Sequence, residues 1–394
     1  SRKNYNRQNK MSLTNFATQS HSDLAGTYIP GSDPTLQKKT VQGRTGAYYN
    51  LPALSAVHIH SVPRVVQVNP HTAISSVAWA PLTLEFPIDR NCMHTLEYMA
   101  FEINVANGTG GNITFNSVYD QVDKIEIRLG SQLIQTIPGL ALKTLLVTLP
   151  HEEYLQIQPD LQMTNAYVND AALADGASDT FIMPIFHSFL EQAAGSFFLP
   201  AVQSELRVKV ILSPANVALS SGSTATITGA KLHLFGRELG PAEIAHMWKQ
   251  ASLGLDYRFI DFVHQPITIS AAETSGTQYT QALNGVNGNV AFMTLVRRAL
   301  NPTTTAVTTY QAFTNLEVTD ASGNNMLGGN AFTDRFCRGL YMNSLELKGQ
   351  IQSILNIYML SWSKDPTQAL ATGMLNGFLS MESRHRLRYV SANS

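Results

Sequence analysis

Residues 205–212 alternate without a break: Leu206, Val208, Val210 and Leu212 fall on one side, and Glu205, Arg207 and Lys209 on the other. Period two with branched apolar residues describes a strand with one face in a core and the other in water. Just upstream, 197–202 is an apolar run broken by Pro200. A proline has no N–H to give to a central ladder, so the chain enters the strand from a packed, irregular corner. Two more segments flank this one: 181–186, which contains Pro184, and a second alternating strand at 230–235.

Bulk properties narrow the classes. A chain of 394 residues is long enough for two or three domains with an ample core. Its net charge of −1 gives no reason to expect specific nucleic-acid binding. Charged residues make up 14%, against about 25% in ordinary soluble domains, and Asn, Gln, Ser and Thr fill the gap. Such a surface suits a protein whose sides are covered by neighbours, because charge is depleted at interface cores. The two cysteines, Cys92 and Cys337, could pair, but far apart in sequence they read rather as free buried thiols. No apolar run approaches the roughly 18 residues that span a bilayer, and no signal-peptide core stands at the start, which leads us to expect a soluble chain without an export signal.

Taken in order, residues 1–50 read as a polar N-terminal arm, whose first ten residues carry Arg2, Lys3, Arg7 and Lys10 without an acid. From 51 the signals are β: strands at 83–88, 98–105 and 123–129. A two-residue turn at Gly130 and Ser131 returns the chain into 132–134. Leu142, Leu145, Leu146 and Leu149 have helical spacing, ended by Pro150. Residues 163–180 read as a loop. A short helix is expected at 241–249, with Pro241 in its first turn and Ile244, Met247 and Trp248 sharing a face. It marks the junction between two β-rich halves. Strand signals restart at 257–268, 290–297, 313–319 and 354–362. Their order repeats the first half, with 290–295 matching 98–103 and 316–318 matching 125–127, as expected for two copies of one domain.

No catalytic motif is present. Position 155 is Leu, so His151 opens no zinc-protease motif, and neither a phosphate-binding loop nor a nucleophile elbow occurs. His58, His60, His71 and His94 read as surface histidines rather than metal ligands. Asn107 and Asn112 open glycosylation triplets by coincidence. Residues 384–388 form a small basic tail.

The ordered set of motifs resembles the major capsid proteins that carry two jelly rolls in one chain, a family of tailless icosahedral double-stranded DNA viruses. The resemblance rests on Ile182, Pro184 and Phe186, then Leu199, Pro200, Val202, Leu206, Val208 and Val210. The 125–134 hairpin adds to it, although Ser131 stands where the family has a second glycine. It ends on Tyr358, Ser361, Trp362, Pro366, Gly373, Asn376 and Ser380. This resemblance implies an all-β chain of two consecutive eight-stranded antiparallel jelly rolls with short connecting helices. Its parts would be the arm at 1–50, a first barrel at 51–240, a linker helix at 241–252, a second barrel at 253–383 and a tail at 384–394. It also implies a structural protein, neither enzyme nor cofactor carrier, that forms a homotrimeric pseudo-hexagonal capsomer. Its partners would be itself, neighbouring trimers, penton and minor capsid proteins, and an internal lipid membrane touched by Arg2, Lys3, Arg7 and Lys10. The protein would be made in the host cytoplasm and reside in the virion, with the 163–180, 270–289 and 300–312 loops building the outer tower or the trimer contacts. The alternatives are a carbohydrate-binding or carbohydrate-active jelly roll and a minor capsid or spike protein.

Overall fold

The strand at 206–212 lies in the middle of a sheet and pairs on both sides. In the computed structural model the described residues are 61–108, 111–114, 118–145, 172–186, 188, 190, 197–219, 224–254, 257, 259, 261–267, 276–297, 313–327, 333, 358–363, 377–381 and 384–391. The first half contains eight main strands: β1 (Ser61–Val68), β2 (Thr83–Ile88), β3 (Thr95–Asn107), β4 (Val122–Leu129), β5 (Gln132–Pro138), β6 (Ser178–Ile185), β7 (Leu206–Leu212) and β8 (Ala225–Leu239). One sheet runs β2-β7-β4-β5; the other runs β1-β8-β3, with β6 also on β3, and every pairing is antiparallel. Strands distant in sequence are thus neighbours in space, which is the jelly-roll order.

The alternation that defines β7 recurs on its partners. Leu84, Phe86, Ile88, Ile125, Ile127, Leu206, Val208 and Val210 turn inward and are buried. Phe101, Ile103, Val105, Leu232 and Leu234 meet them from the opposite sheet. Phe86 and Phe101 join the two layers edge to face, with ring centroids 6.0 Å apart. Pro184 sits in β6, which pairs only with β3 among the long strands; a proline is tolerated on such an edge. Pro200 lies in a 3-10 turn at Leu199–Ala201 that delivers the chain to β7. Leu129 pairs with Gln132 across a two-residue turn, and Gly130 supplies the positive φ of 59° that the turn requires.

Two helices follow the expected positions. α1 (Gly139–Leu145) buries Leu142 and Leu145; positions 146–150 lie outside the described residues. α2 (Pro241–Leu253) runs on four residues beyond the predicted 249. Ile244 and Met247 pack against Phe198 and Leu239, whereas Trp248 is half exposed and meets Phe198 edge to face.

The second half holds β9 (Gln278–Ala282), β10 (Gly288–Val290), β11 (Phe292–Leu295), β12 (Phe313–Thr319), β13 (Tyr358–Ser361), β14 (Leu379–Met381) and β15 (Arg386–Ser391). β9-β15-β12 repeats the β1-β8-β3 arrangement, and β11-β13 repeats β2-β7. The repeat anticipated from sequence is therefore present but shifted by one strand. β12 pairs as β3 does, not as β4, and β11 corresponds to β2. Short apolar strands look alike in sequence, and hydrogen-bond partners, not residue types, distinguish them.

Three further corrections arise. Residues 384–391 are no tail: β15 is the middle strand of its sheet, with Leu387 and Tyr389 buried. Three arginines, Arg384, Arg386 and Arg388, masked an ordinary period-two alternation. Residues 278–282, expected inside a loop, are β9. None of the described residues in 257–267 is in a strand; Tyr257, Phe259 and Phe262 instead pack against the first core.

One position tests the packing of the wider sheet. The β8–β3 register shifts between Phe235 and Gly236, and a Cβ on Gly236 would lie 1.9 Å from the Thr95 carbonyl oxygen. Gly236→Ala should destabilise the first barrel by roughly 1–3 kcal/mol, read as a lower urea midpoint at unchanged m.

Candidate assembly surfaces

At the seam between the two barrels, one strand pair among the described residues, β11-β13, faces both barrels. Along β11, Met293 and Leu295 pack into the second core, while Phe292 and Val296 pack against the first. Along β13, Tyr358 and Leu360 belong to the second core and Met359 to the first. Period two thus sends alternate side chains into two different barrels, which explains why all four residues of β13 are buried. The first barrel receives this sheet beside α1, where the Thr144 hydroxyl lies 3.2 Å from that of Thr294. Tyr257 completes the seam: its hydroxyl accepts from the Phe198 N–H at 3.2 Å, and its ring lies 4.8 Å from that of Phe197. Burial pushes the Tyr257 phenol above its ordinary pKa.

Beneath α1 the Lys143 ammonium donates to the Asp120 carboxylate, both almost fully buried. A buried pair is costly to break because the survivor keeps its desolvation penalty. This one ties α1, which carries Thr144, to the 3-10 turn at Val118–Gln121 that precedes β4.

The outward face of the β2-β7-β4-β5 sheet is charged, as is that of the β1-β8-β3 sheet, where Arg64 pairs with Glu238, Arg237 with Glu97 and Lys231 with Glu102. The Glu85 carboxylate accepts from Arg207 at 2.8 Å and pairs with Lys209 at 3.3 Å. Glu126 is bracketed in the same way by Lys124 at 2.9 Å and Arg128 at 2.8 Å. Glu205 also pairs with Arg207. Burial works against ionisation of Glu85 and Glu126, and the hydrogen bonds from their cationic neighbours outweigh it, holding both below the ordinary carboxylate range.

The residues singled out in the sequence fall in several places. Leu206, Val208 and Val210 are core, and Leu199 is buried at the corner. Ile182 is half-buried on the outer side of β6 opposite Glu102. The Pro184 carbonyl accepts from the Tyr119 hydroxyl at 3.3 Å. Phe186 is half-buried, 6.4 Å from the Tyr98 ring. The Tyr358 hydroxyl accepts from the Phe313 N–H at 3.0 Å, and Ser361 donates to the Ser363 carbonyl at 2.8 Å. Arg2, Lys3, Arg7, Lys10, Pro366, Gly373 and Asn376 lie outside the described residues, as do His58, His60 and Cys337. His94 accepts from the Leu239 N–H through Nδ1, and burial lowers its pKa. Asn107 is buried, donating to the Gly111 and Leu173 carbonyls, so its side chain is committed to holding loops together. Among the described residues no group of three or more metal-ligating side chains converges. Sequence reasoning missed the seam; the clue was two runs without polar alternation, 292–296, broken only by Thr294, and 357–360.

No family model matches the sequence, and no curated protein matches it. Solved structures do. VP54 of PBCV-1, fitted into a cryo-EM reconstruction of the virophage Sputnik, aligns with TM-score 0.63 at 14% identity, over 85% of this chain and 87% of that one. The quasi-atomic model of the PBCV-1 virus capsid gives 0.62 at 14% identity, over 85% and 87%. The Faustovirus major capsid protein gives 0.59 at 8% identity, over 98% and 96%. At these identities the likeness is one of fold: the chain shares the double jelly-roll fold of these viral capsid proteins.

Two outcomes follow from this geometry. Lys143→Met should cost about 3–5 kcal/mol by stranding Asp120, and Lys143→Met combined with Asp120→Leu should lose less, as measured by urea unfolding. Glu85 and Glu126 have folded pKa values below 4.5, so the stability they contribute is complete above that pH and disappears as pH falls through the lowered values. A Glu85→Gln, Glu126→Gln double variant should therefore show a flatter acid limb in melting temperature against pH.

Proposed function

We propose that this chain is a major capsid protein and that it works as a homotrimer. The observation that carries the reading is the seam: two barrels of repeated topology, locked side by side by β11 and β13. Three such chains around a three-fold axis bring six similar barrels into a ring. A ring of six similar units has a near-hexagonal outline, and hexagonal outlines tile a shell with only small adjustments between neighbours. On this reading the protein's place is the virion, and its partners are neighbouring trimers with penton and minor capsid proteins at special positions. The arm bearing Arg2, Lys3, Arg7 and Lys10 is proposed to meet anionic headgroups of an internal membrane, at about 1 kcal/mol per basic residue.

Light scattering on the purified full chain tests the trimer. The expected mass is threefold that of the 43.1 kDa chain, and a monomer at every concentration would overturn the reading.

A further inference from the structure

The internal repeat turns the seam within one chain into information about the seam between chains. In the second barrel, the outward face of the β11-β13 sheet carries Phe292, Val296 and Met359 and is covered by the first barrel of the same chain. The strands in the same position in the first barrel are β2 and β7, as their pairings show. Their outward face carries Glu85, Arg207 and Lys209, continued across β4 by Lys124, Glu126 and Arg128. No described residue of the second barrel pairs with any of these charges.

We infer that this charged face of the four-stranded sheet is where a second copy of the chain docks, presenting its second barrel. The inference rests on the trimer reading given above and names the surface that makes it. If six barrels close into a ring, every barrel uses one such sheet face against a neighbour. In the second barrel that neighbour is tethered, is present as soon as the chain folds, and can be met with apolar side chains. In the first barrel the neighbour arrives by diffusion. Until it does, the face must remain soluble, and charge achieves this where exposed phenylalanine and methionine would not. The difference in chemistry between two equivalent faces is thus what intrachain and interchain contacts require.

The ladder also indicates what the face recognises. Each central carboxylate is already satisfied by two cations, whereas side chains of Lys124, Arg128 and Arg207 remain 40%, 30% and 40% exposed. The free capacity is therefore in N–H donors, five on each guanidinium. The matching surface on the second barrel is one of acceptors: carbonyl, amide and carboxylate oxygens. Leu133, 44% exposed and opposite Arg128 on the same face, supplies an apolar anchor at the rim.

The experiment compares the full chain with two variants on this face, Leu133→Arg and Lys124→Glu, and one on the other sheet, Gln67→Arg. Gln67 is exposed and lies on β1 opposite His233. Mass is read by light scattering across a dilution series, and folding by circular dichroism and melting at the lowest concentration. The expected result is a rise of about tenfold or more in the dissociation constant of the assembly for each variant on the charged face. Gln67→Arg should assemble as the unmodified chain does, and all three should fold. Unchanged assembly by both Leu133→Arg and Lys124→Glu would overturn the assignment of this face, as would an equal loss from Gln67→Arg, and the trimer would stand in either case. An unmodified chain that never exceeds the monomer mass would overturn the trimer itself. Should Leu133→Arg fail to fold, Lys124→Glu decides alone, because Lys124 is 40% exposed and its only ionic partner among the described residues is Glu126.

Discussion

A β-sheet has two faces, and burying both with apolar side chains commits a protein to two cores. The β11-β13 pair does this, with Leu295 and Leu360 on one side and Phe292 and Met359 on the other. The relation of the two barrels depends on it. Loops and a 3-10 turn could set the second barrel beside the first, but a shared sheet fixes the angle between them, because its apolar side chains alternate between one core and the other. The rest of the seam, from Tyr257 to the Thr144–Thr294 contact, elaborates this arrangement.

The buried ion pair supports the receiving side. Lys143 and Asp120 lie between α1 and the turn before β4. An apolar pair of equal volume would serve stability as well or better. What the charges add is direction: an ammonium buried next to one carboxylate has one low-energy place to be, which fixes the rotation of α1 and with it the position of Thr144. The chain thus uses charge in two ways: inside to orient a helix, and outside to keep a sheet face soluble.

Much of the first barrel could be read from its residues. Wherever one face is wet and the other buried, hydrophobicity alternates, and β2, β4 and β7 show it plainly. The Gly130 turn carries its own chemistry, and Pro184 and Pro200 fell where a proline can stand. The second barrel was less legible for a physical reason. Strands buried on both faces lose their alternation, so β11 and β13 gave apolar runs with no visible direction. β15 kept its alternation but hid it behind arginines that lie along the outer face, where Arg388 pairs with Glu317. The one-strand slip in matching the halves has the same origin, because pairing partners leave almost no trace in local composition. Of the candidate surfaces, the charges of Glu205, Arg207 and Lys209 were visible as the wet side of a strand. That this wet side continues into a ladder over three strands depends on which strands adjoin, and that is long-range information.

The place of β15 has a consequence for biosynthesis. It is the middle strand of the second barrel's three-stranded sheet: Tyr389 stacks on Tyr279 of β9 on one side, and Arg388 pairs with Glu317 of β12 on the other. Among the described residues neither β9 nor β12 has another long partner in that sheet. A nascent chain can therefore complete the first barrel's sheets well before the second barrel's three-stranded sheet gains its middle strand at 386–391. During that interval Phe313 and Tyr279 lack the Tyr389 ring that packs on both, and non-local strand pairing is slow. The first barrel, already folded, offers the unfinished half an apolar seam to rest on. The surface that later sets the angle between the barrels can then act first as an internal holdase, shielding the half of the chain that must wait longest.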